Sequence, residues 1–272
     1  MKKRAMAYAA LAAIGLSAAS CSVKEDRSGC HCLLSVDLRS ADITHPGVTH
    51  PDITVTVDAG GAPAVETVAV QDYLSYPFWE RGVPRRTVTV SARSTVRGMD
   101  TEWPYATVDT GSQCDSLYAH ASRVDCSGEE AHDTAVLHKQ FATLYIDMTG
   151  YGASRYPYGI TVRGESDGIS LETLSPHDGE FRFSPAAQGA RGTRFICRIP
   201  RQRGRLLMDL TRDGTVMDTV DIGAEITRAG YSWHREDLDD IMLTVDHGTL
   251  AVSVSVLPWD RMELDDGEGW TI

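Results

Sequence analysis

The chain has 272 residues and a formal net charge of -12, with 38 Asp and Glu against 26 Lys and Arg. This acidic balance argues against nucleic acid as a partner and against polybasic attachment to anionic lipid head groups. Residues 21–272 are too many for one ordinary β-sandwich, and their number fits two domains of roughly 100–150 residues.

The first 20 residues have the pattern of a secretory signal peptide. Lys2, Lys3 and Arg4 precede a mostly small or apolar run that ends at Ser20. This run is shorter than the ~20 residues that a transmembrane helix needs. Cys21 follows directly, as in a lipobox, although the nearest leucine lies five positions before it rather than three. We therefore expect cleavage before Cys21 and attachment of lipid to its thiol.

The segment after the cysteine, residues 22–26, reads Ser-Val-Lys-Glu-Asp. It resembles the short Lys-plus-acidic signal that directs Bacteroidota lipoproteins to the outer face of the outer membrane. A flexible, solvated tether is the alternative interpretation, since charged residues beside a lipid anchor need only remain hydrated.

The first half then shows short apolar runs that alternate with period two, which predicts half-buried strands. The runs are Leu33–Leu38, Ile53–Val57, Val65–Val70, Thr87–Ala92 and the shorter Asp115–His120. Two Thr-His-Pro triplets in residues 41–52 predict a loop, because proline removes a backbone donor. The polar segment 125–133 marks the boundary between predicted domains 21–132 and 133–272.

The second half continues the strand pattern. Its runs are His138–Met148, Tyr158–Arg163, Ser170–Leu174, Glu180–Phe183, Thr193–Ile199, Arg205–Thr211, Thr215–Ile222, Ile241–Val245 and Leu250–Val256. Asp213-Gly214 is the strongest hairpin signal, and His247-Gly248 plays a similar role. Helical periodicity is confined to residues 223–229. Many short strands at this spacing predict an all-β protein of antiparallel sandwiches.

Five cysteines remain besides Cys21, so at least one has no partner within the chain. A Cys114–Cys126 bridge is one expectation for an exported protein, and buried, reduced cysteines are the alternative. Cys30-His31-Cys32 does not predict a metal site, because neighbouring residues of a strand point to opposite faces.

Motifs that carry chemistry are scarce. The sequence has no HExxH, no GxSxG, no Walker loop and no GxGxxG before a helix. Asp237, Asp239 and Asp240 cluster without the spacing of a calcium-binding loop, and we interpret them as solvated strand ends. We therefore expect no enzymatic activity, no metal and no cofactor.

Aromatic residues surround Pro77: Tyr73, Tyr76, Phe78 and Trp79. Packing between sheets is the favoured interpretation for these rings. The alternative is an exposed platform near Trp79 on which a sugar stacks.

Several segments in order resemble one family. They are Cys30–Cys32 and Asp115–Ala119 in the first half, then Leu137–Thr143, Ile199–Gln202, Gly230–Trp233, Leu238–Ile241 and Val256–Trp259. Their order resembles the FimB-type fimbrial anchor family of Bacteroidales, also called fimbrillin-associated anchor proteins, most specifically from Leu137 to Trp259. The resemblance implies two tandem transthyretin-like antiparallel β-sandwiches, a lipid tether in the outer membrane, and a role at the fimbrial base in holding the fibre and influencing its length.

The resemblance also implies fimbrial shaft subunits (fimbrillins) as partners. Those subunits join by donor-strand exchange, in which an extended strand completes the sheet of a neighbour. The best candidate contact here is the last predicted strand with the tail to Ile272, through Leu250, Val252, Val254, Val256 and Trp259. Its alternative is an ordinary last strand paired within its own domain. The alternative functions are a surface glycan-binding lipoprotein and a minor or tip adhesin subunit.

Overall fold

The computed structural model describes residues 30–41, 51–152 and 155–259. Cys21, the predicted signal peptide and residues 260–272 lie outside these ranges. Within the described ranges, no helix combines the length and apolar character needed to cross a bilayer.

Two sheets are formed by the first half of the chain. Sheet A has the order β4 (Phe78–Pro84), β1 (His31–Asp37), β9 (Glu130–Thr134). Sheet B has the order β10 (His138–Lys139), β8 (Tyr118–Asp125), β5 (Thr87–Ser94), β2 (Ile53–Asp58), β3 (Ala64–Val68). All these pairs are antiparallel except β1 with β9.

Two further sheets are formed mainly by the second half. Sheet C has the order β17 (Thr215–Asp221), β16 (Leu206–Arg212), β12 (Gly159–Ser170), β7 (Tyr105–Val108), β6 (Met99–Asp100), with β13 (Pro176–Phe183) also paired to β12. Sheet D has the order β14 (Ala187–Gln188), β15 (Arg194–Pro200), β11 (Phe141–Thr149), β18 (Asp240–Asp246), β19 (Val252–Leu257). Within the described ranges, the helices are Val70–Ser75 and Ile222–Arg228, with a 3-10 turn at Arg39–Ala41.

The predicted alternation produces the core. In β11, Leu144 and Ile146 are fully buried, whereas Thr143 and Tyr145 between and beside them are half-buried. Alternate side chains of a strand point to opposite faces, so each sheet turns one apolar face inward. The predicted all-β sandwich class is confirmed.

Turn chemistry explains the hairpins. Asp213 (φ 51°) and Gly214 (φ 79°) both adopt the left-handed region, as a tight two-residue turn between β16 and β17 requires. Before the last strand, Leu250 takes the left-handed conformation (φ 57°). The predicted strand from Leu250 is therefore wrong at its start, because the turn extends further and β19 begins at Val252.

A short hairpin from the first half, β6 with β7, joins the sheet of the second half. Thr107 on β7 pairs with Gly168 on β12. A Cβ on Gly168 would lie 2.0 Å from the carbonyl oxygen of Ala106, so only glycine permits this close approach. The predicted domain boundary between residues 132 and 133 stays a prediction. In the structure, this position lies within β9. Lys139, beyond the boundary, also belongs to sheet B, because β10 pairs with β8.

Of the two alternatives for Cys114 and Cys126, the structure has buried, reduced thiols and no bridge between them. The Cys114 sulfur lies 3.8 Å from the sulfur of Met99, whereas the Cys126 thiol is hydrogen-bonded with that of Cys32. Burial of Cys126, with Cys32 beside it, raises its thiol pKa to about 11.

Candidate functional site

The candidate partner strand, β19, forms one end of sheet D. It pairs with β18 from Asp240–Leu257 to Val245–Val252, and no other described strand pairs with it. Its valines, Val252, Val254 and Val256, are half-buried and pack against the core. The serines between them, at positions 253 and 255, are exposed. This alternation combines an inner apolar face with an outer polar one.

The backbone of β19 is oriented by its pairing with β18. The carbonyl of Ala251 accepts from the N–H of Asp246 at 2.9 Å, so the backbone groups of Ala251 face β18. Since N–H and C=O alternate sides along a strand, the backbone groups of Val252, Val254 and Val256 face the other edge. An edge without a strand partner can be a template for adding a strand from another chain, and the helix Ile222–Arg228 lies against β19.

Trp259 lies at the end of the described chain and contacts both halves of the molecule. Its backbone N–H donates to Oδ1 of Asp239 at 3.1 Å. Its ring centroid lies 5.6 Å from that of Tyr118 on β8 and 5.4 Å from Nζ of Lys139 on β10. The structure therefore places this predicted contact residue in the junction between sheets B and D, near the end of β19, while Leu250 lies in the preceding turn.

The same junction contains a buried ion pair. Nζ of Lys139 donates to Oδ1 of Asp240 at 2.6 Å and to the carbonyl of Leu238 at 3.0 Å. Oδ1 of Asp240 also accepts the backbone N–H of Thr143 at 2.5 Å. Burial lowers the pKa of Lys139, and the charge and hydrogen bond of Asp240 oppose that shift. The interpretation of Asp239 and Asp240 as solvated strand ends is wrong, because both residues are 4% exposed.

Arg201 fastens the loop that precedes β18. Its Nε donates to Oε1 of Gln140 at 3.1 Å, and its terminal nitrogens donate to the carbonyls of Trp233, Arg235 (2.8 Å) and Glu236 (3.0 Å). The side chain is buried, and burial lowers its pKa. No spacing rule identifies this residue in the sequence, since its acceptors are mainly backbone carbonyls of a distant loop.

The aromatic segment around Pro77 divides into two pairs. Tyr73 and Trp79 are buried, and Nε1 of Trp79 donates to Oε2 of Glu66 at 3.0 Å. Tyr76 and Phe78 are 58% and 36% exposed, with ring centroids 5.7 Å apart. Both line a groove of about 500 Å³ between β3, β4 and the helix Val70–Ser75. Packing is thus the role of one pair, and the exposed rings near Trp79 are Tyr76 and Phe78, because the Trp79 ring itself lies in the core.

Metal ligands do not converge in the described ranges, where no group of three His, Cys, Asp or Glu side chains is placed to hold an ion. The ion pairs in these ranges join neighbouring strands and loops. Arg163 with Asp209 is one example: Nε and Nη2 donate to the two carboxylate oxygens at 2.6 and 2.8 Å.

Comparison with known proteins finds similarity in the fold. No protein-family model and no curated protein sequence matches the chain. The fimbrial anchor protein Mfa2 from Porphyromonas gingivalis superimposes with a TM-score of 0.58 at 10% identity, over 85% of this chain and 98% of that one. A Bacteroides thetaiotaomicron VPI-5482 protein described as polysaccharide-binding gives 0.59 at 15% identity, over 86% and 99%.

A protein from Bacteroides ovatus described as an adhesin gives a TM-score of 0.57 at 11% identity, over 86% of this chain and 97% of that one. At such identities the shared property is the fold. The chain therefore has the fold of these surface proteins across nearly their whole length. A fimbrial anchor protein is among them, as the sequence resemblance predicted.

Proposed function

We propose that this chain is an outer-membrane lipoprotein that holds a fimbria at the cell surface and influences fibre assembly and length. The observation that supports this most is the fold shared with the Mfa2 fimbrial anchor over 98% of that chain. A lipid on Cys21 supplies the tether. Burial of acyl chains contributes ~0.8 kcal/mol per CH₂, so several chains on one cysteine resist the pull of a fibre where a single chain holds only marginally.

Removal of the tether tests the anchoring role. In cells that carry Cys21→Ala, we expect fimbriae in the culture medium instead of on the cells, because the anchor no longer inserts into the membrane. The released protein should keep the circular dichroism spectrum of the wild type, since Cys21 precedes every described strand. Fimbriae that remain on cells carrying this variant would contradict the role of Cys21.

The partner contact is assigned here to β19 as an acceptor of a strand. Donation would withdraw Val252, Val254 and Val256 from the core and break their pairing with β18. Even half-burial of three valines is worth on the order of 2–4 kcal/mol. Acceptance needs neither change, because a partner strand adds to the outer edge through backbone hydrogen bonds.

Lysines on the exposed face of β19 test this assignment. Lysine on an edge strand opposes strand addition while its own sheet is retained, so Ser253→Lys with Ser255→Lys should fold and lose the partner. Met217→Lys is the matched control, because Met217 is 54% exposed on β17, the edge of another sheet.

The assay is mild crosslinking in the native host, purification and mass spectrometry. We expect the wild type and the control to recover one dominant fimbrial shaft subunit, crosslinked near residues 250–272, and the double variant to recover it at least tenfold less. Equal recovery by the double variant and the control would refute the role of β19.

A second candidate function is binding of a surface glycan. It is favoured by the exposed Tyr76–Phe78 pair in its groove and by the description of one structural neighbour as polysaccharide-binding. An aromatic ring that packs on one side and is exposed to water on the other is suited to stacking on a sugar. Glycan-array binding that disappears in Tyr76→Ala and persists in Tyr105→Ala, another exposed tyrosine, would favour this function over the anchor.

A further inference from the structure

The buried pair of Lys139 and Asp240 has an environment unusual for two opposite charges. The side chains are 2% and 5% exposed, and Nζ lies 2.6 Å from Oδ1. Aromatic rings surround the lysine: Nζ lies 4.7 Å from the ring centroid of Phe141 and 5.4 Å from that of Trp259. The amine and the carboxylate are therefore in contact at a site almost closed to solvent, with Asp237 and Asp239 also acting on the lysine.

Energetics favour a neutral product at such a site. A buried ion pair loses the hydration of both charges, and this loss can exceed the Coulombic attraction. A buried amide carries no net charge and is satisfied by ordinary hydrogen bonds. Burial also lowers the pKa of Lys139, which increases the fraction of neutral amine, the nucleophilic form.

Backbone groups hold the two reacting atoms in place. The carbonyl of Leu238 accepts from Nζ at 3.0 Å and fixes the nitrogen beside the carboxyl group. The N–H of Thr143 donates to Oδ1 of Asp240 at 2.5 Å. In an addition of Nζ to Cγ, that donor would lie against the oxygen on which negative charge develops, as in an oxyanion hole. Thr143 lies on β11, and Leu238 lies just before the neighbouring strand β18. Because both groups are held by the sheet, the reacting atoms need to move little.

We propose that Lys139 and Asp240 form an intramolecular isopeptide bond. Nζ attacks Cγ of Asp240, the new N–C bond forms, and the Cγ–Oδ2 bond breaks. Two protons of the ammonium group leave with Oδ2 as water, so an ammonium and a carboxylate become one secondary amide and one water. Oδ1 remains as the amide carbonyl oxygen and keeps the hydrogen bond from Thr143. No oxidant, reductant or other reactant is consumed.

The bond would connect the two halves of the molecule covalently. Lys139 lies on β10, which pairs with β8 in sheet B, and Asp240 begins β18 in sheet D. The two residues are 101 positions apart in the chain. This bond concerns the junction alone and does not depend on the proposed anchoring role.

Peptide mass spectrometry of the full-length protein, purified from its own membranes and digested with trypsin after denaturation, tests the proposal. Acylated lysine is not cleaved, so we expect residues 124–155 to remain joined to residues 236–261, with a mass smaller by one water than the sum of the two peptides. Recovery of a free peptide 124–139 with no joined species would overturn the proposal.

Matched variants identify the atoms involved. Asp240→Asn should give the identical joined product, because a carboxamide loses ammonia where a carboxylate loses water. Lys139→Arg and Asp240→Ala should give none, while circular dichroism shows whether each variant is folded. A joined species that persists in Asp240→Ala would also overturn the assignment. The wild-type result decides the question even if a variant fails to fold.

Discussion

Replacement of Arg201 by Met tests how the junction between the sheets is held. The methionine keeps the apolar part of the side chain and removes a guanidinium that donates to Gln140 and to three backbone carbonyls of the loop at residues 233–236. The Arg201 side chain is buried. In the variant, these carbonyls therefore lose their donor and have little access to water. An unsatisfied buried acceptor costs about 1–3 kcal/mol.

The magnitude follows from these contacts. Loss of these hydrogen bonds destabilises the fold, whereas methionine avoids part of the cost of burying a charge. We therefore expect the free energy of unfolding to fall by about 3–4 kcal/mol in total. For a chain of this size, 1 kcal/mol shifts Tm by about 2–4 °C, which predicts a fall of roughly 10 °C. Hydrogen exchange of the amides in residues 233–238 should also become faster than in the wild type, because Arg201 holds three carbonyls of this loop.

The assay is thermal unfolding followed by circular dichroism, with exchange measured by mass spectrometry. Arg203→Met is the matched control, because the Arg203 side chain is 48% exposed and paired with an exposed Asp178. Such surface pairs contribute about 0–1 kcal/mol. If Arg201→Met lowers Tm no more than Arg203→Met, or leaves exchange in the loop unchanged, the reasoning is refuted.

Two further predictions concern an ion pair and a close approach. The hydrogen bond and charge of Arg163 lower the pKa of Asp209 below 3.8, although burial opposes the shift. Stability from a carboxylate with a lowered folded-state pKa is present above the unfolded pKa and lost as the pH falls through the folded one. The Tm difference between wild type and Asp209→Asn should therefore be largest near neutrality and shrink below pH of about 4; a gap independent of pH would contradict this. Gly168→Ala, whose Cβ would meet the Ala106 carbonyl oxygen at 2.0 Å, should lose about 1–3 kcal/mol in urea unfolding. Gly98→Ala meets no atom within 4 Å and should change little, so equal midpoints for the two variants would be inconsistent with the close pairing of β7 and β12.

The sequence by itself determined the class of fold and most of its strands. Period-two alternation in segments such as Thr143–Met148 requires one apolar face, and a second sheet is the simplest cover for it. Asp213-Gly214 specified a hairpin because few other residue pairs adopt two consecutive left-handed conformations. These properties depend on neighbours within a few positions, so a linear pattern records them.

The tertiary structure alone decided exposure and charge burial. Trp79 and Phe78 are adjacent in the chain, yet one ring is in the core and the other at a groove, because strand neighbours face opposite sides. In the sequence, Asp240 follows two other carboxylates, a pattern typical of a solvated cluster. In the structure, Thr143 on β11 and Lys139 on β10 lie against it. A residue 101 positions away supplies that partner. Local pattern cannot encode a contact that exists only when two distant strands meet.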